Sequence, residues 1–289
     1  MRSALSALDV RRARSLREAL GYLADGARSG FAYTPLAGGT DLFVYLNAGT
    51  LPDTHFLDLW LLKELRGQRA GREGLRLGAL ETFSRIRRSP VVRRQYPALA
   101  AAAAVIGAVQ IQNRATLGGN IGNGSPAGDS LPVLLALDAR VRLVGPEGLR
   151  EVPFREFYTG YRASVRRSDE LIESVLLPPP ERGARQYFRK VGTRQAQSIS
   201  KVVLASDILT RRGRIAAARV ALGSVAPTVV RAPAAEAVLV GEKPTPAVAR
   251  AAAARLAEDV HPIDDIRSTA AYRRKVAARL LELAVAEAS

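Results

Sequence analysis

The sequence of 289 residues predicts an α+β protein with two domains. Strand and helix patterns alternate near the N-terminus, which is typical of a small parallel or mixed sheet covered by helices. After residue 180, three strand patterns precede a helical region, which indicates an antiparallel sheet with helices on one face. Pro178–Pro180 separates the two parts, because a proline run is stiff and extended. We therefore expect one domain at 1–177, with lobes of about 1–60 and 61–177, and a second at 181–289.

The first elements follow a β-α-β order after an N-terminal helix. Apolar residues at helical spacing predict a helix at Ser15–Ala24, and Ser15 is a favourable N-cap. Tyr33–Ala37 and His55–Leu59 are strand candidates, and Leu42–Leu46 between them is a helix candidate. A glycine turn joins the first of these strands to that helix.

The elements from residue 63 to residue 177 predict a second layer of strands and helices. Leu75–Ala79 alternates like a strand, and Gly145–Gly148 is a hairpin turn between two strand candidates. The remaining candidates in this part are a turn at Lys63–Gly67, helices at Thr82–Arg88, Pro97–Ala104 and Leu131–Leu137, strands at Arg140–Val144 and Leu149–Val152, and closing segments at Phe154–Tyr158 and Glu170–Leu177.

The C-terminal part predicts three antiparallel strands and then helices. The strand candidates are Ala184–Val191, Lys201–Thr210 and Arg214–Leu222, and Arg211–Gly213 turns the last two into a hairpin. Residues 233–285 have a helical pattern that His261-Pro262 interrupts.

Two glycine-rich turns carry the main functional signal. Gly38 and Gly39 lie between a strand candidate and a helix candidate, with Thr40 or Asp41 as the N-cap. Residues 112–132 hold five glycines from Gly118 to Gly128. Glycine backbones can approach a ligand closely, and successive inward amides bind anions such as a diphosphate. A glycine-rich surface turn is the alternative interpretation, and no standard phosphate-loop or dinucleotide motif is present.

The two turns together resemble a known family. Residues 36–42, LAGGTDL, and 115–132, ATLGGNIGNGSPAGDSLP, resemble the FAD loops of the flavoprotein subunits of molybdenum hydroxylases, the xanthine dehydrogenase and carbon monoxide dehydrogenase family. Segments at 157–180, 188–206, 221–241 and 265–281 resemble the same subunits in the same order. The resemblance implies a two-lobed FAD-binding domain of the vanillyl-alcohol-oxidase type, followed by a small C-terminal domain.

The resemblance also implies which residues bind non-covalent FAD. The first loop would surround the diphosphate, with Asp41 as a helix cap whose amide faces the ligand. In the second loop, backbone amides and hydroxyls would bind FAD and Asp129 would lie near the adenosine end, although Asp129 as a helix N-cap is the alternative. The implied FAD-binding residues are Leu36, Ala37, Gly38, Gly39, Thr40, Asp41, Leu42, Ile106, Thr116, Gly118, Gly119, Asn120, Ser125, Asp129, Ile172 and Lys190.

Three of these residues are expected near the flavin ring. Ile106 and Ile172 would contact the ring system, and an ordinary core isoleucine is the alternative for Ile106. Lys190 would lie near the pyrimidine side of the flavin, where a cation stabilises negative charge on the reduced ring. A solvated lysine is the alternative for Lys190.

Composition limits the classes of function. The chain has no cysteine, so iron–sulfur clusters must lie in a partner, and its two histidines make a metal site improbable. The N-terminal Met1–Leu5 has no signal-type apolar core and no apolar run reaches membrane-spanning length, so a cytoplasmic protein is expected. The formal charge of +16 raises a nucleic-acid hypothesis, but the arginines are scattered.

The sequence therefore predicts an electron-transfer subunit. By resemblance, a molybdopterin-binding large subunit and an iron–sulfur small subunit would be partners in a heterotrimer or its dimer. FAD would pass electrons to NAD, a quinone, oxygen or another acceptor, with no catalytic residue and no metal on this chain. The alternatives are a stand-alone FAD-dependent oxidoreductase and a basic protein that binds nucleic acid or other anions.

Overall fold

The computed structural model describes residues 8–51 and 53–288, so Met1–Leu5 lies outside the described residues. The helices are α1 Leu16–Arg28, α2 Leu42–Ala48, α3 Phe83–Arg88, α4 Pro90–Gln95, α5 Pro97–Val105, α6 Val109–Gln112, α7 Leu117–Asn123, α8 Leu131–Ala136, α9 Pro233–Leu239, α10 Pro246–Arg255 and α11 Ala270–Glu287. The strands are β1 Asp9–Arg12, β2 Thr34–Leu36, β3 His55–Asp58, β4 Gln68–Gly71, β5 Gly74–Gly78, β6 Arg140–Gly145, β7 Gly148–Pro153, β8 Tyr158–Gly160, β9 Ala163–Ser164, β10 Leu171–Leu177, β11 Ala184–Val191, β12 Val202–Arg211, β13 Arg214–Gly223 and β14 Val230–Arg231.

The N-terminal part is a small parallel sheet in the order β1-β3-β2. Ser15 caps α1 by accepting a hydrogen bond from the Glu18 amide, which confirms the predicted helix start. Strand β1 was not predicted, because all four of its residues are exposed and it lacks an apolar alternation. Strand β2 ends at the carboxyl edge of the sheet, so the first glycine turn lies at that edge. Ligands commonly bind at this edge in α/β structures.

The middle part is an antiparallel sheet in the order β4-β5-β10-β6-β7. The predicted hairpin between β6 and β7 is confirmed, with Gly145 paired to Gly148. Helices α3 to α8 and the inner face of this sheet form the largest core, around fully buried side chains such as Phe83, Tyr96 and Phe157. Ile172 on strand β10 belongs to this core and also lines the large cavity of the protein.

The second glycine-rich segment is not a simple loop, contrary to the expectation from its sequence. Leu117–Asn123 forms the short helix α7, which Thr116 caps through the Gly119 amide. Gly124 ends the helix in a left-handed conformation with φ of 59°. The helix was missed because glycine is a poor helix former, while the cap and the tertiary contacts stabilise it here.

The C-terminal part is an antiparallel sheet in the order β11-β12-β13-β14, covered by α9, α10 and α11. The predicted three strands are confirmed, and a fourth, β14, extends the sheet beside β13. The sequence did not show β14, because two residues are too short for a strand pattern. The α+β prediction is therefore confirmed with one extra strand.

The C-terminal sheet packs directly on the middle part. Arg219 on β13 donates from Nε to the Ala136 carbonyl at 3.1 Å, and its guanidinium pairs with the buried Asp207 at 2.5 Å. The Ser224 amide donates to the Pro126 carbonyl at 2.8 Å, which joins the end of β13 to the second glycine-rich segment. This junction places the end of β13 beside the second glycine-rich segment.

No helix in the part of the chain that the structure describes is both long and apolar enough to cross a membrane.

Glu170 fixes the turn that leads into β10. Its side chain is buried, and Arg150 donates to both carboxylate oxygens at 2.6 and 2.8 Å. These bonds, together with the Arg167 amide at 2.8 Å, lower the pKa of Glu170 from its ordinary value of 4.5 to about 2. The carboxylate thus ties β7 to the start of β10.

We predict that Glu170→Gln lowers the free energy of unfolding by roughly 2–3 kcal/mol at neutral pH. Because the folded-state pKa is depressed, this stabilisation is complete above about pH 4.5 and is lost as the pH falls through about 2. Urea unfolding across this pH range measures the difference between wild type and variant. Glu156→Gln, which alters an exposed ion pair, is the control and should change stability by less than about 1 kcal/mol. A difference for Glu170→Gln that does not shrink in acid would contradict the assignment.

Candidate functional site

One large cavity lies where the three parts of the chain meet. Its volume is about 1740 Å³, and its walls come from both glycine-rich turns, the β8–β9 hairpin and loops of the C-terminal part. Cavities for drug-sized ligands are typically about 300–1,000 Å³, so this one can hold a ligand of dinucleotide size. All the residues predicted to bind a cofactor line it: Leu36, Ala37, Gly38, Gly39, Thr40, Asp41, Leu42, Ile106, Thr116, Gly118, Gly119, Asn120, Ser125, Asp129, Ile172 and Lys190.

The first glycine turn offers unpaired backbone donors. Within residues 8–51 and 53–288, the N–H groups of residues 38–41 have no hydrogen-bond acceptor. Gly39 adopts φ of 76°, a left-handed conformation that glycine tolerates and that makes the tight turn. Consecutive amides without acceptors at a cavity wall form an anion-binding surface.

Gly38 brings the first turn into close contact with the chain that precedes α7. A Cβ atom at Gly38 would lie 1.9 Å from the carbonyl oxygen of Arg114. The Arg114 guanidinium in turn lies 3.7 Å from the ring centroid of Trp60, the only tryptophan in the sequence. Only glycine allows this approach, so Gly38 fixes the spacing between the two turns.

The amides of the second glycine-rich segment are already paired within the protein. The Gly118 amide donates to the Ala79 carbonyl at 2.8 Å, and the Gly119 and Asn120 amides donate to Thr116 at 3.1 and 2.9 Å. The expectation that these three residues offer free amides is therefore wrong. The second segment instead supplies a wall without side chains, because a Cβ added at Gly119 would lie 2.9 Å from the Thr116 hydroxyl and 3.8 Å from Ala37, and one at Gly122 would lie 3.9 Å from Ile172.

Polar side chains of the second segment remain exposed to the cavity. Asn120 accepts from Ser130 through Oδ1 at 2.6 Å, and its Nδ2 group has no acceptor among the described residues. Ser125 accepts from the Ala127 amide at 3.3 Å and keeps its own hydroxyl hydrogen for a ligand. Both side chains can donate to an oxygen-rich ligand.

Asp41 occupies the N-cap position of α2 but does not cap it through its side chain. Its carboxylate accepts from Asn123 Nδ2 at 3.1 Å instead. The predicted N-cap position of Asp41 is therefore confirmed, but its side chain accepts a hydrogen bond from α7 and none from an amide of α2. Asp41 still presents its amide without an acceptor in the described structure, as expected from the sequence.

Asp129 and Lys190 form a buried ion pair. Lys190 Nζ donates to Asp129 Oδ2 at 2.6 Å and to the Val105 carbonyl at 3.2 Å, and both paired side chains are 7% exposed. Ser200 donates to the second oxygen of Asp129. Both alternative interpretations are wrong: Lys190 is not a solvated lysine, and Asp129 does not cap α8, whose N-cap is Ser130.

The ion pair also corrects the relative placement of its two members. The resemblance assigned Asp129 to the adenosine end and Lys190 to the flavin end of one extended ligand. Groups 2.6 Å apart cannot serve opposite ends, so both belong to one end of the cavity, beside the C-terminal sheet. Burial raises the pKa of Asp129, while Lys190 and Ser200 oppose that shift.

Ile106 and Ile172 lie at the same cavity and also contact the core. Ile106 follows α5, and Gln112 Nε2 fixes its loop by donating to the Ile106 carbonyl at 3.1 Å. Ile172 is 8% exposed and belongs to the main core. Ile106 packs against the same core and lines the cavity, so it can be a core residue and still contact a ligand.

Sequence reasoning missed several polar residues of the cavity wall. Tyr45 on α2, Tyr161 and Arg162 in the β8–β9 hairpin, and Arg166 after it all line the cavity. The fragment Gly160-Tyr161-Arg162 was part of the family resemblance, but no spacing in the sequence shows that this hairpin folds over α2. Ser200 was missed for the same reason, since only the fold brings it to Asp129.

Comparison with known protein families covers nearly the whole chain. Residues 6–180 match the family described as the FAD binding domain in molybdopterin dehydrogenase. Residues 186–288 match the family described as the CO dehydrogenase flavoprotein C-terminal domain.

Three individual relatives show the same similarity over more than nine-tenths of their length. The chain is 32% identical over 279 residues to the xanthine dehydrogenase FAD-binding subunit of Escherichia coli O157:H7, which covers 96% of this chain and 94% of that protein. It is 30% identical to the glyceraldehyde dehydrogenase medium chain of Sulfolobus acidocaldarius, covering 92% of each. A solved structure of carbon monoxide dehydrogenase from Hydrogenophaga pseudoflava matches with a TM-score of 0.92 at 29% identity, over 97% of this chain and 96% of that one.

We predict that Gly38→Ala separates the two turns, because its methyl group would overlap the Arg114 carbonyl. The expected result is a loss of roughly 2–4 kcal/mol in the free energy of unfolding, with a changed Trp60 emission spectrum as Arg114 leaves the ring. Gly21→Ala is the matched control: no atom lies within 4 Å of its added Cβ, and an alanine inside α1 should stabilise by about 0.5–1 kcal/mol. Equal stability of Gly38→Ala and wild type would refute the close-contact argument.

We also predict that Lys190→Met leaves a buried, uncompensated carboxylate at Asp129. The expected loss is roughly 3–5 kcal/mol at neutral pH. Because burial raises the folded-state pKa of Asp129, the penalty exists only while this group is ionised, so it should shrink as the pH falls and the carboxyl takes up a proton. Denaturant unfolding between pH 8 and pH 5 measures this, with exposed Lys275→Met as the control. A loss independent of pH would show that Lys190 contributes only by packing.

Proposed function

The chain belongs to the family of FAD-binding subunits of molybdenum hydroxylases, and we propose that it holds FAD in its central cavity for electron transfer between protein subunits and an external acceptor. When bound, FAD supplies redox chemistry that accepts electrons singly or in pairs. The observation that carries the proposal is the set of unpaired amides of residues 38–41 on the wall of a dinucleotide-sized cavity.

The residues present fit the cofactor chemically. The amides of residues 38–41 would bind the diphosphate, which needs several donors and carries negative charge. Asn120 and Ser125 have side-chain donors for hydroxyl groups of the ligand. Gly118 and Gly119 would act through close approach, because their amides are paired within the protein. Leu36, Ala37, Leu42 and Thr116 would complete the walls.

We assign the flavin ring to the end of the cavity that the C-terminal sheet closes. Ile106 and Ile172 supply apolar surface there, and Lys190 supplies a positive charge. The contacts with Asp129 and the Val105 carbonyl hold the ammonium group in one place. Lys190 would favour a negatively charged ring, and the carboxylate of Asp129 would limit that effect.

The proposal includes partner subunits. Relatives are named as medium chains or FAD-binding subunits of dehydrogenases, so we infer that this chain also works within an assembly. The sequence contains no cysteine, and iron–sulfur clusters are held by cysteine thiolates, so the clusters that deliver electrons would belong to a small partner subunit. The molybdopterin centre would belong to a large partner subunit. NAD, a quinone or oxygen would accept the electrons.

We also propose that the chain divides into domains at Pro178–Pro180. Strand β10 ends at Leu177, and the two family matches meet between residues 180 and 186. Tyr96 donates to the carbonyls of Leu177 and Pro178 at 3.2 and 3.0 Å, which fixes the start of the connection on the first domain.

Titration of the purified full chain with FAD tests the proposal. We expect a perturbed visible flavin spectrum with saturation at about one FAD per chain. Gly119→Trp should abolish it, because a Cβ at Gly119 points between Thr116 and Ala37 and an indole there would fill the space between the two turns. Gly21→Trp, on the open surface of α1, adds the same side chain elsewhere and should bind like wild type.

Two results would contradict the proposal. A folded wild-type chain that binds no FAD, even when co-purified with the large and small subunits, would exclude the cofactor assignment. Normal binding by Gly119→Trp would move the cofactor away from the two turns. A wild-type chain that binds FAD and oxidises a small substrate without partners would favour the stand-alone flavoenzyme.

A further inference from the structure

Arg162 lies at the tip of the β8–β9 hairpin and lines the cavity. Its Nη2 atom donates to the Tyr45 hydroxyl at 2.5 Å, and its guanidinium lies 4.9 Å from the centroid of that ring. The centroid of the Tyr161 ring is 5.6 Å from the guanidinium; Tyr161 is 62% exposed and also lines the cavity. A cation in contact with two aromatic rings therefore lies on the cavity wall.

The positive charge of Arg162 has no carboxylate partner within 4.0 Å among the residues that the structure describes. Arg150 and Arg219, by contrast, are ion-paired, Arg150 with Glu170 at 2.6 Å and Arg219 with Asp207 at 2.5 Å. The neutral Tyr45 hydroxyl is a weaker partner than an anion. Arg162 is thus available to an anionic ligand in the cavity.

A chain of hydrogen bonds links Arg162 to the first glycine turn. Tyr45 donates from its hydroxyl to Asn123 Oδ1 at 3.2 Å, and Asn123 donates from Nδ2 to Asp41 Oδ2 at 3.1 Å. Burial raises the pKa of Asp41, and the positive charge of Arg162 is close enough to oppose that shift. The guanidinium therefore lies in the same region of the cavity as the unpaired amides of residues 38–41.

The backbone of Arg162 turns in a left-handed conformation at the tip of the hairpin. Its φ of 52° lies in the region where a side chain other than glycine costs roughly 1–2 kcal/mol. The guanidinium bonds to Tyr45 on α2. A glycine at this position would avoid the cost but would supply no charge.

We infer that Arg162 is an additional binding residue for the diphosphate of a dinucleotide, with Tyr45 holding the guanidinium in place until the ligand arrives. Arginine binds phosphate oxygens through two parallel hydrogen bonds, which are stronger than its bond to a neutral hydroxyl. The inference rests on the proposed function, since it requires a dinucleotide in this cavity. The diphosphate is either that of FAD or that of a pyridine dinucleotide docked as electron acceptor.

Three variants of the full chain separate these sources. Arg162→Met removes the charge, Arg162→Lys keeps the charge without the fork of donors, and Arg250→Met removes an exposed arginine on α10 as the control. Each variant is titrated with FAD and with riboflavin, which has no phosphate. Each FAD-loaded variant is then titrated with NADH while flavin reduction is followed by absorbance.

If Arg162 binds the FAD diphosphate, Arg162→Met weakens FAD binding at least tenfold and leaves riboflavin binding unchanged. If it binds the acceptor, FAD binding is unchanged and the NADH concentration for half-maximal reduction rises at least tenfold. In both cases Arg162→Lys should fall between wild type and Arg162→Met, which also keeps the test valid if Arg162→Met folds poorly. Arg250→Met should match wild type throughout.

The inference is overturned if Arg162→Met and Arg162→Lys both match Arg250→Met in FAD affinity and in NADH dependence. It is also overturned if riboflavin and FAD lose affinity equally, because the role of Arg162 would then be structural. A wild-type chain that fails to bind FAD contradicts the proposed function itself, whereas a wild-type chain that binds FAD with no effect of either variant removes only the role of Arg162.

Discussion

The close approach of Gly38 to the Arg114 carbonyl is the constraint on which the cavity depends. It sets the distance between the turn after β2 and the segment that leads into α7. At that distance, the amides of residues 38–41 remain open, while the amides of α7 turn inward to Ala79 and Thr116. The first glycine turn therefore supplies backbone donors, and the second glycine-rich segment supplies a wall with few side chains. Both are rich in glycine, so their compositions do not show this difference.

Burial divides the polar groups of the cavity into two kinds. Asp129, Lys190 and Ser200 satisfy one another and are removed from water, so they form a fixed part of the wall at the C-terminal sheet. Arg162 and the amides of residues 38–41 lack such partners in the described structure. Groups with internal partners give the site its shape, and groups without them give it affinity for an anionic ligand.

The C-terminal sheet contributes to the cofactor site as well as to stability. It closes one end of the cavity through Lys190 and Ser200, and it packs on the middle part through Arg219 and Ser224. Displacing this sheet would open the cavity and would break the ion pair at Asp129 at the same time. Cofactor retention and the packing of the C-terminal part are therefore coupled in this architecture.

The sequence by itself determined the α+β class, most helices and strands, the family and part of the set of residues that line the cavity, because these follow from local periodicity, turn chemistry and two specific glycine-rich motifs. It did not reveal β1, β14 or α7, whose sequences are too short or too rich in exposed residues and glycine to show a period. Only the tertiary structure decided which amides stay open, that Asp129 and Lys190 share one end of the cavity, and that Arg162 reaches Tyr45. Hydrogen bonds between residues distant in sequence depend on how the sheets and helices pack against one another. A local sequence pattern contains no information about that packing.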